Sequence, residues 1–280
     1  MNELPFSIKQ AIDRYEEVTV DGITLYPIRV KEQYEWLVAR QAIEILQQSL
    51  PVALLSKPLL QVYYELDFLP ALRGESDKVT GLWGCAMLTL ALSLRLGQGL
   101  PMEERMLQFN PIIQPDNPQR LVAVRTALNG GEKTIDITPV QFQRLRPIIA
   151  AQNGVKLESD EANPDLVKAE RVIAEMNGAN LRIDFNDKLA FVAGKLHKRK
   201  AELYEWAIKE VEDYDAVFTR ELYFVVNGIG GAFGGFGKGG NPVPHPYYER
   251  TDKASAHMAL RDFANGAGER AVANAGQQVT

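Results

Sequence analysis

Cysteine and histidine are scarce in this chain. One cysteine, Cys85, stands among 280 residues, so no intramolecular disulfide is available and a reducing compartment suits the composition. The three histidines, His197, His245 and His257, fall in no H-E-x-x-H or Cys/His pattern with metal-ligand spacing. No G-x-S-x-G elbow occurs, so an exposed catalytic serine of that type is not expected. Positive charge is not in excess either: the net charge is -5, which argues against a general nucleic-acid binder. Long hydrophobic runs are missing too. The most apolar window, Val79–Leu96, starts beside Asp77 and Lys78 and meets Arg95. A membrane span needs about 20 apolar residues, so this window reads as a buried core helix holding Cys85 as an inert thiol. Met1–Phe6 shows no basic region leading into an apolar run, and no secretory signal is expected. The absences together predict no metal, no cofactor, no nucleic-acid partner and no membrane partner.

What is present is a helix-rich pattern. Hydrophobic residues make up 46% of the chain, enough for a sizeable core. An early hairpin is expected from Glu17–Val20 and Ile23–Tyr26 around Asp21-Gly22, a pair suited to a type I′ turn. A helix from about Lys31 to Leu50 should follow, ended by Pro51. It carries one apolar stripe (Tyr34, Leu37, Val38, Ala42, Ile45, Leu46) and a second face marked by Trp36 and Ile43. Two apolar faces imply burial on more than one side or contact with a partner. Pro58–Leu69 and Val79–Leu96 read as further helices. Leu107–Ile113, Leu121–Leu128 and Thr134–Ile137 read as strands of a small central β element turned at Asn129-Gly130-Gly131.

Thr138-Pro139 reads as a helix cap and first helical position, and Asn153-Gly154 as the stop. Asn163-Pro164 starts another helix, and Asp184 or Asn186 caps a short one. The last long helix should begin near Arg199, with Tyr204, Ala207, Ile208, Val211, Tyr214, Phe218 and Leu222 as its stripe. Leu222–Val226 also fits a strand by composition, although helix continuation is favoured. The fold class expected is therefore α+β and mostly α-helical: an N-terminal β-hairpin, a helical bundle, a small central β element and a flexible Gly/Pro-rich C-terminal tail. The divisions expected are residues 1–130, 131–227 and 228–280.

Glycine is concentrated in that last region, and Pro242, Pro244 and Pro246 stand close together in it. Gly235–Gly240 matches G-x-G-x-x-G, but Asn241-Pro-Val-Pro-His-Pro follows it. No helix N-terminus can then receive a phosphate. A Walker A reading fails as well, because Gly239 follows Lys238 where Ser or Thr is needed. Phe233, Phe236, Tyr247 and Tyr248, set among glycine and proline, are instead candidate anchors for an extended docking segment. An ordinary loop whose aromatics fold back on their own domain is the competing reading. Lys195–Lys200 is a basic cluster, but Glu202, Glu205, Glu210, Glu212, Asp213 and Asp215 follow and largely cancel its field.

The order of these pieces resembles the tail assembly chaperones of phages infecting Gram-positive bacteria. Val20–Val30 resembles the opening hairpin of that family, and Ile137–Gly154 its middle helix with an acidic loop and a Pro-started helix after it. Asp184 through Trp206 and the long helix resemble its C-terminal helical unit. The Gly-rich segment departs from the family pattern. The resemblance implies a non-enzymatic protein of the bacterial host cytoplasm that keeps a helical tape-measure protein in solution while tail-tube subunits polymerise around it. The partners implied are the tape-measure and tail-tube proteins, with self-association also open. Candidate contact residues are Trp36, Ile43, Trp206, Phe233, Phe236, Tyr247 and Tyr248. The competing expectation is a structural tail or baseplate subunit present in the virion, with the Gly/Pro arm lashing neighbours together.

Overall fold

The computed structural model describes residues 4–45, 50, 52–74, 81–128, 131, 133–157 and 184–232. It is mostly helical, with a small two-stranded hairpin near the N-terminus and a small three-stranded sheet. The chain divides into two units. The first holds Met1–Glu158 together with Lys200–Val211, and the second holds Ser159–Arg199 and Glu212–Thr280.

The first unit opens with α1 (Phe6–Asp13), then β1 (Val18–Val20) and β2 (Ile23–Leu25). Asp21 and Gly22 take φ of 51° and 75°, the left-handed pair that a type I′ turn requires. The register places Val18 opposite Leu25 and Val20 opposite Ile23, and Val18, Ile23 and Leu25 are buried.

The single helix expected over Lys31–Leu50 is broken. A 3₁₀ turn at Val30–Glu32 precedes α2 (Gln33–Ala39) and α3 (Gln41–Glu44), and Ile45 turns to extended backbone. Around the breaks, backbone carbonyls go to distant donors: Ala39 accepts from Thr89 Oγ1 at 2.9 Å, Ala42 from the Tyr63 hydroxyl at 2.7 Å, and Ile43 and Ile45 from Arg146 at 2.8 and 2.7 Å. Arg105, almost wholly buried, donates from Nη2 to Glu32 at 2.7 Å, from Nη1 to Glu35, and from Nε to the Leu96 carbonyl at 3.2 Å. A charge this deep persists only when paired and hydrogen-bonded.

α4 (Leu59–Tyr63) starts after Pro58 as expected. It widens to a π turn at Tyr64–Phe68 before α5 (Leu69–Leu72), next to Pro70, which lacks an N–H to donate. Tyr64, Phe68 and Trp83 form an aromatic cluster with centroids 5.0–5.8 Å apart. α6 (Leu82–Ser93) is the core helix: every residue from Trp83 to Ser93 is buried. Asp67 supplies its missing cap, accepting the Trp83 N–H at 3.0 Å, and a Cβ on Gly81 would fall 2.5 Å from that carboxylate.

After α7 (Met102–Met106) come β3 (Asn110–Gln114), β4 (Asn117–Leu128) and β5 (Lys133–Ile137), in the antiparallel order β3-β4-β5. Strand β3 begins at Asn110, not Leu107, because α7 and its C-terminal turn occupy the residues before it. The Gln61 amide ties α4 to the sheet, donating to the Gln119 carbonyl at 2.8 Å and accepting the Leu121 N–H at 2.9 Å. α8 (Pro139–Gln152) has the cap read from Thr138-Pro139, completed as a capping box by Gln141.

The boundary expected after residue 130 is corrected. β4 pairs with β5 across it, and the first unit continues to Glu158. This unit also recovers residues 200–211. Val30 N–H donates to Trp206, Lys31 N–H to Tyr204, and Ile208 N–H to Ile28, at 2.9–3.1 Å. The Ile28 N–H is taken in turn by the Asn153 side chain at 2.8 Å.

In the second unit, Asp184 caps α9 (Phe185–Lys195), accepting the Asp187 N–H at 2.8 Å. The long helix expected from Arg199 is corrected to a 3₁₀ turn at Lys200–Leu203, which belongs to the first unit, and then α10 (Ile208–Ala232), which belongs to the second unit from Glu212 onward. α10 runs through Leu222–Val226 as helix and continues into Gly228–Ala232, which the sequence reading assigned to the tail. The tail from Phe233 onward, and the helix expected after Asn163, lie outside the described residues.

Candidate functional site

Two of the expected contact residues are core residues. Trp36 on α2 is 2% exposed and Ile43 on α3 is fully buried. Both helices pack on α6, so the second apolar face is satisfied by the chain's own core helix and offers nothing to a partner. Trp206 is half-buried, in the segment whose backbone bonds residues 30 and 31. Phe233, Phe236, Tyr247 and Tyr248 lie outside the described residues.

A different surface stands out, on α10. Tyr214, Phe218, Leu222, Val225, Val226 and Ile229 follow one another at three- and four-residue steps, which places them along one helix face. The face has two halves. In the N-terminal half, Phe191 of α9 meets Phe218 edge-on with centroids 6.2 Å apart, and Tyr214 lies 5.8 Å from the same ring. The Lys195 ammonium sits 5.8 Å above Phe218 and 3.3 Å from Glu221. In the C-terminal half, Leu222, Val225, Val226 and Ile229 are 45–55% exposed. No charged residue occurs from Leu222 to Gly237.

Isolated exposed apolar residues are ordinary, but four adjacent ones on one helical face form a patch of the kind that marks interaction. The sequence carried this signal in the apolar spacing beyond Phe218. The expectation carried the helix through Leu222–Val226 but gave the glycines from Gly228 onward, and Ile229 with them, to the tail. Helix continuation won because the stripe keeps the spacing of the turns before it.

Elsewhere, burial shifts several ionisable groups. Burial pushes the Cys85 thiol up, as an inert core thiol requires. Burial also raises the Tyr63 phenol, whose hydroxyl donates to the Ala42 carbonyl at 2.7 Å. At Glu35 the burial effect outweighs the pull of Arg105, and the carboxyl is held above its ordinary value. The buried Arg105 cluster was not legible from spacing, since its partners lie some 70 positions away. Among the described residues, no group of three His, Cys, Asp or Glu side chains gathers as a metal site, and no helix is long and apolar enough to cross a membrane. Compared with protein-family models, with curated proteins and with solved structures, the chain matches none.

Proposed function

We propose that this protein works by contact, covering an apolar helical stripe on another polypeptide, and that it acts as a tail assembly chaperone for a phage tape-measure protein. The reading rests on one observation above all: the exposed half-stripe of Leu222, Val225, Val226 and Ile229 on a helix long enough to pair with another. A tape-measure protein of coiled-coil character presents matching seams, which self-associate unless shielded. Pairing along about two turns would hide apolar area worth a few kcal/mol at about 25 cal/mol per Å². That is strong enough to hold a client and weak enough to release it to tail-tube subunits. Such work needs no cofactor and no bond chemistry, and it belongs in the host cytoplasm.

The experiment is co-expression with the tape-measure protein, followed by size exclusion. The wild-type chain is expected to keep the client in solution and to co-elute with it. The double variant Leu222→Asp/Val225→Asp is expected to stay folded and to lose the client. A client that is equally soluble without the chain, or that co-elutes undiminished with the double variant, rejects the reading.

A further inference from the structure

The C-terminal end of α6 opens onto a cleft of about 540 Å³ in the first unit, within the size range of small-molecule sites. It has a mixed lining: Leu94, Leu96, Ala127 and Leu128 supply its apolar part, and Tyr26, Arg95 and Gln108 supply polar groups. Among the described residues that line it, one is a cation, Arg95. The Arg95 guanidinium is half-buried and stacked 4.2 Å from the centroid of the Tyr26 ring, which fixes its plane.

Arg95 differs from the other arginines of this unit in what it lacks. Arg29, Arg40, Arg105, Arg125 and Arg144 each have a carboxylate within ion-pair distance. Arg146 donates to two backbone carbonyls. Arg14, Arg73 and Arg120 have no such carboxylate among the described residues, but they are exposed to water. Arg95 alone combines partial burial with no acid at ion-pair distance among the described residues. Burial lowers its pKa first and the nearby Arg29 charge second. Tyr26, Glu32 and Glu17 act the other way without cancelling them. A partly desolvated guanidinium with leucine side chains beside it favours a counter-ion that carries some apolar surface. Gln108 adds a second donor, since its amide uses one N–H on the Glu104 carbonyl at 3.1 Å and has another.

The backbone by itself marks nothing. Arg95 has φ of 55°, but Tyr15 and His197 take the same left-handed conformation after their own helices. The conformation does supply a clean variant, because glycine suits that position better than arginine does.

We infer that this cleft binds a carboxylate with a compact apolar body, its carboxylate on Arg95 and Gln108 and its body against Leu96, Ala127 and Leu128. A free small acid and the C-terminal residue of a polypeptide both present that chemistry. The inference is independent of the α10 surface, and either can fail without the other.

The experiment is calorimetric titration of the full chain with four probes: N-acetyl-leucine, its amide, and a leucine-terminated tetrapeptide with a free or an amidated end. The free carboxylates are expected to bind roughly tenfold or more tightly than the amides, the margin of a lost charge-assisted hydrogen bond. Tighter binding by the free-acid tetrapeptide identifies a polypeptide terminus, and tighter binding by N-acetyl-leucine identifies a small acid. Arg95→Gly is expected to melt no lower than wild type and to lose the preference, and Arg95→Gln serves as a second neutral variant. Equal binding of acid and amide, no binding of either acid, or a preference that survives both variants overturns the inference.

Discussion

α6 and the C-terminal half of α10 are similar in sequence and opposite in circumstance. Both are uncharged and rich in large aliphatic side chains. From Trp83 to Ser93 every residue of α6 is buried, with α2, α3, α4 and α7 packed around it. On α10, cover from α9 reaches Phe218, and about two turns of apolar side chains, Leu222 to Ile229, continue beyond it exposed. Apolar composition thus sets how much a helix gains from being covered. What the rest of the chain places opposite decides whether that gain is realised within the fold or left for a partner.

The sharpest break of this comparison comes from the ion cluster that helps enclose α6. Arg105→Ala leaves Glu32 buried without its counter-charge, and about 3–5 kcal/mol of stability should be lost. Urea unfolding followed by circular dichroism measures it, and a loss under about 1 kcal/mol would mean the cluster is solvated. A matched pair of truncations comes next. Leu90→Ala in α6 should cost about 2–5 kcal/mol through lost transfer energy and a residual cavity, whereas Leu222→Ala in α10 should change stability by about 0.5 kcal/mol or less. Equal costs in thermal melts would remove the distinction between the two helices. The smallest effect is chemical. Burial and the raised thiol should make Cys85 unreactive toward a disulfide reagent at neutral pH until the unit opens, so labelling in the native state should be slow and should accelerate with denaturant.

The features that sequence disclosed were those set by neighbours along the chain. Asp21-Gly22 declared its turn, Thr138-Pro139 its cap, and Val79–Leu96 its burial, because each depends on a few adjacent residues. Features set by distant partners stayed hidden. Nothing near Ile43 or Ile45 announces Arg146, which takes their carbonyls from 103 and 101 positions away, so the break in the expected 31–50 helix could not be anticipated. The second apolar face at Trp36 and Ile43 was visible, but periodicity does not say whether a face is covered by the same chain or by another. The candidate surface was half legible: the stripe through Phe218 and Leu222 was identified, and its extension to Ile229 was obscured by glycines that the helix tolerates.

The return of residues 200–211 to the first unit bears on how the protein is made. Ile28 is held from two directions, by Asn153 through its N–H and by Ile208 through its carbonyl. A nascent chain that has emerged only as far as α8 has one of these clasps and lacks the other. The first unit therefore closes only after residues 200–211 have left the ribosome, and until then the backbone of Ile28–Lys31 lacks the partners it finds at Tyr204, Trp206 and Ile208.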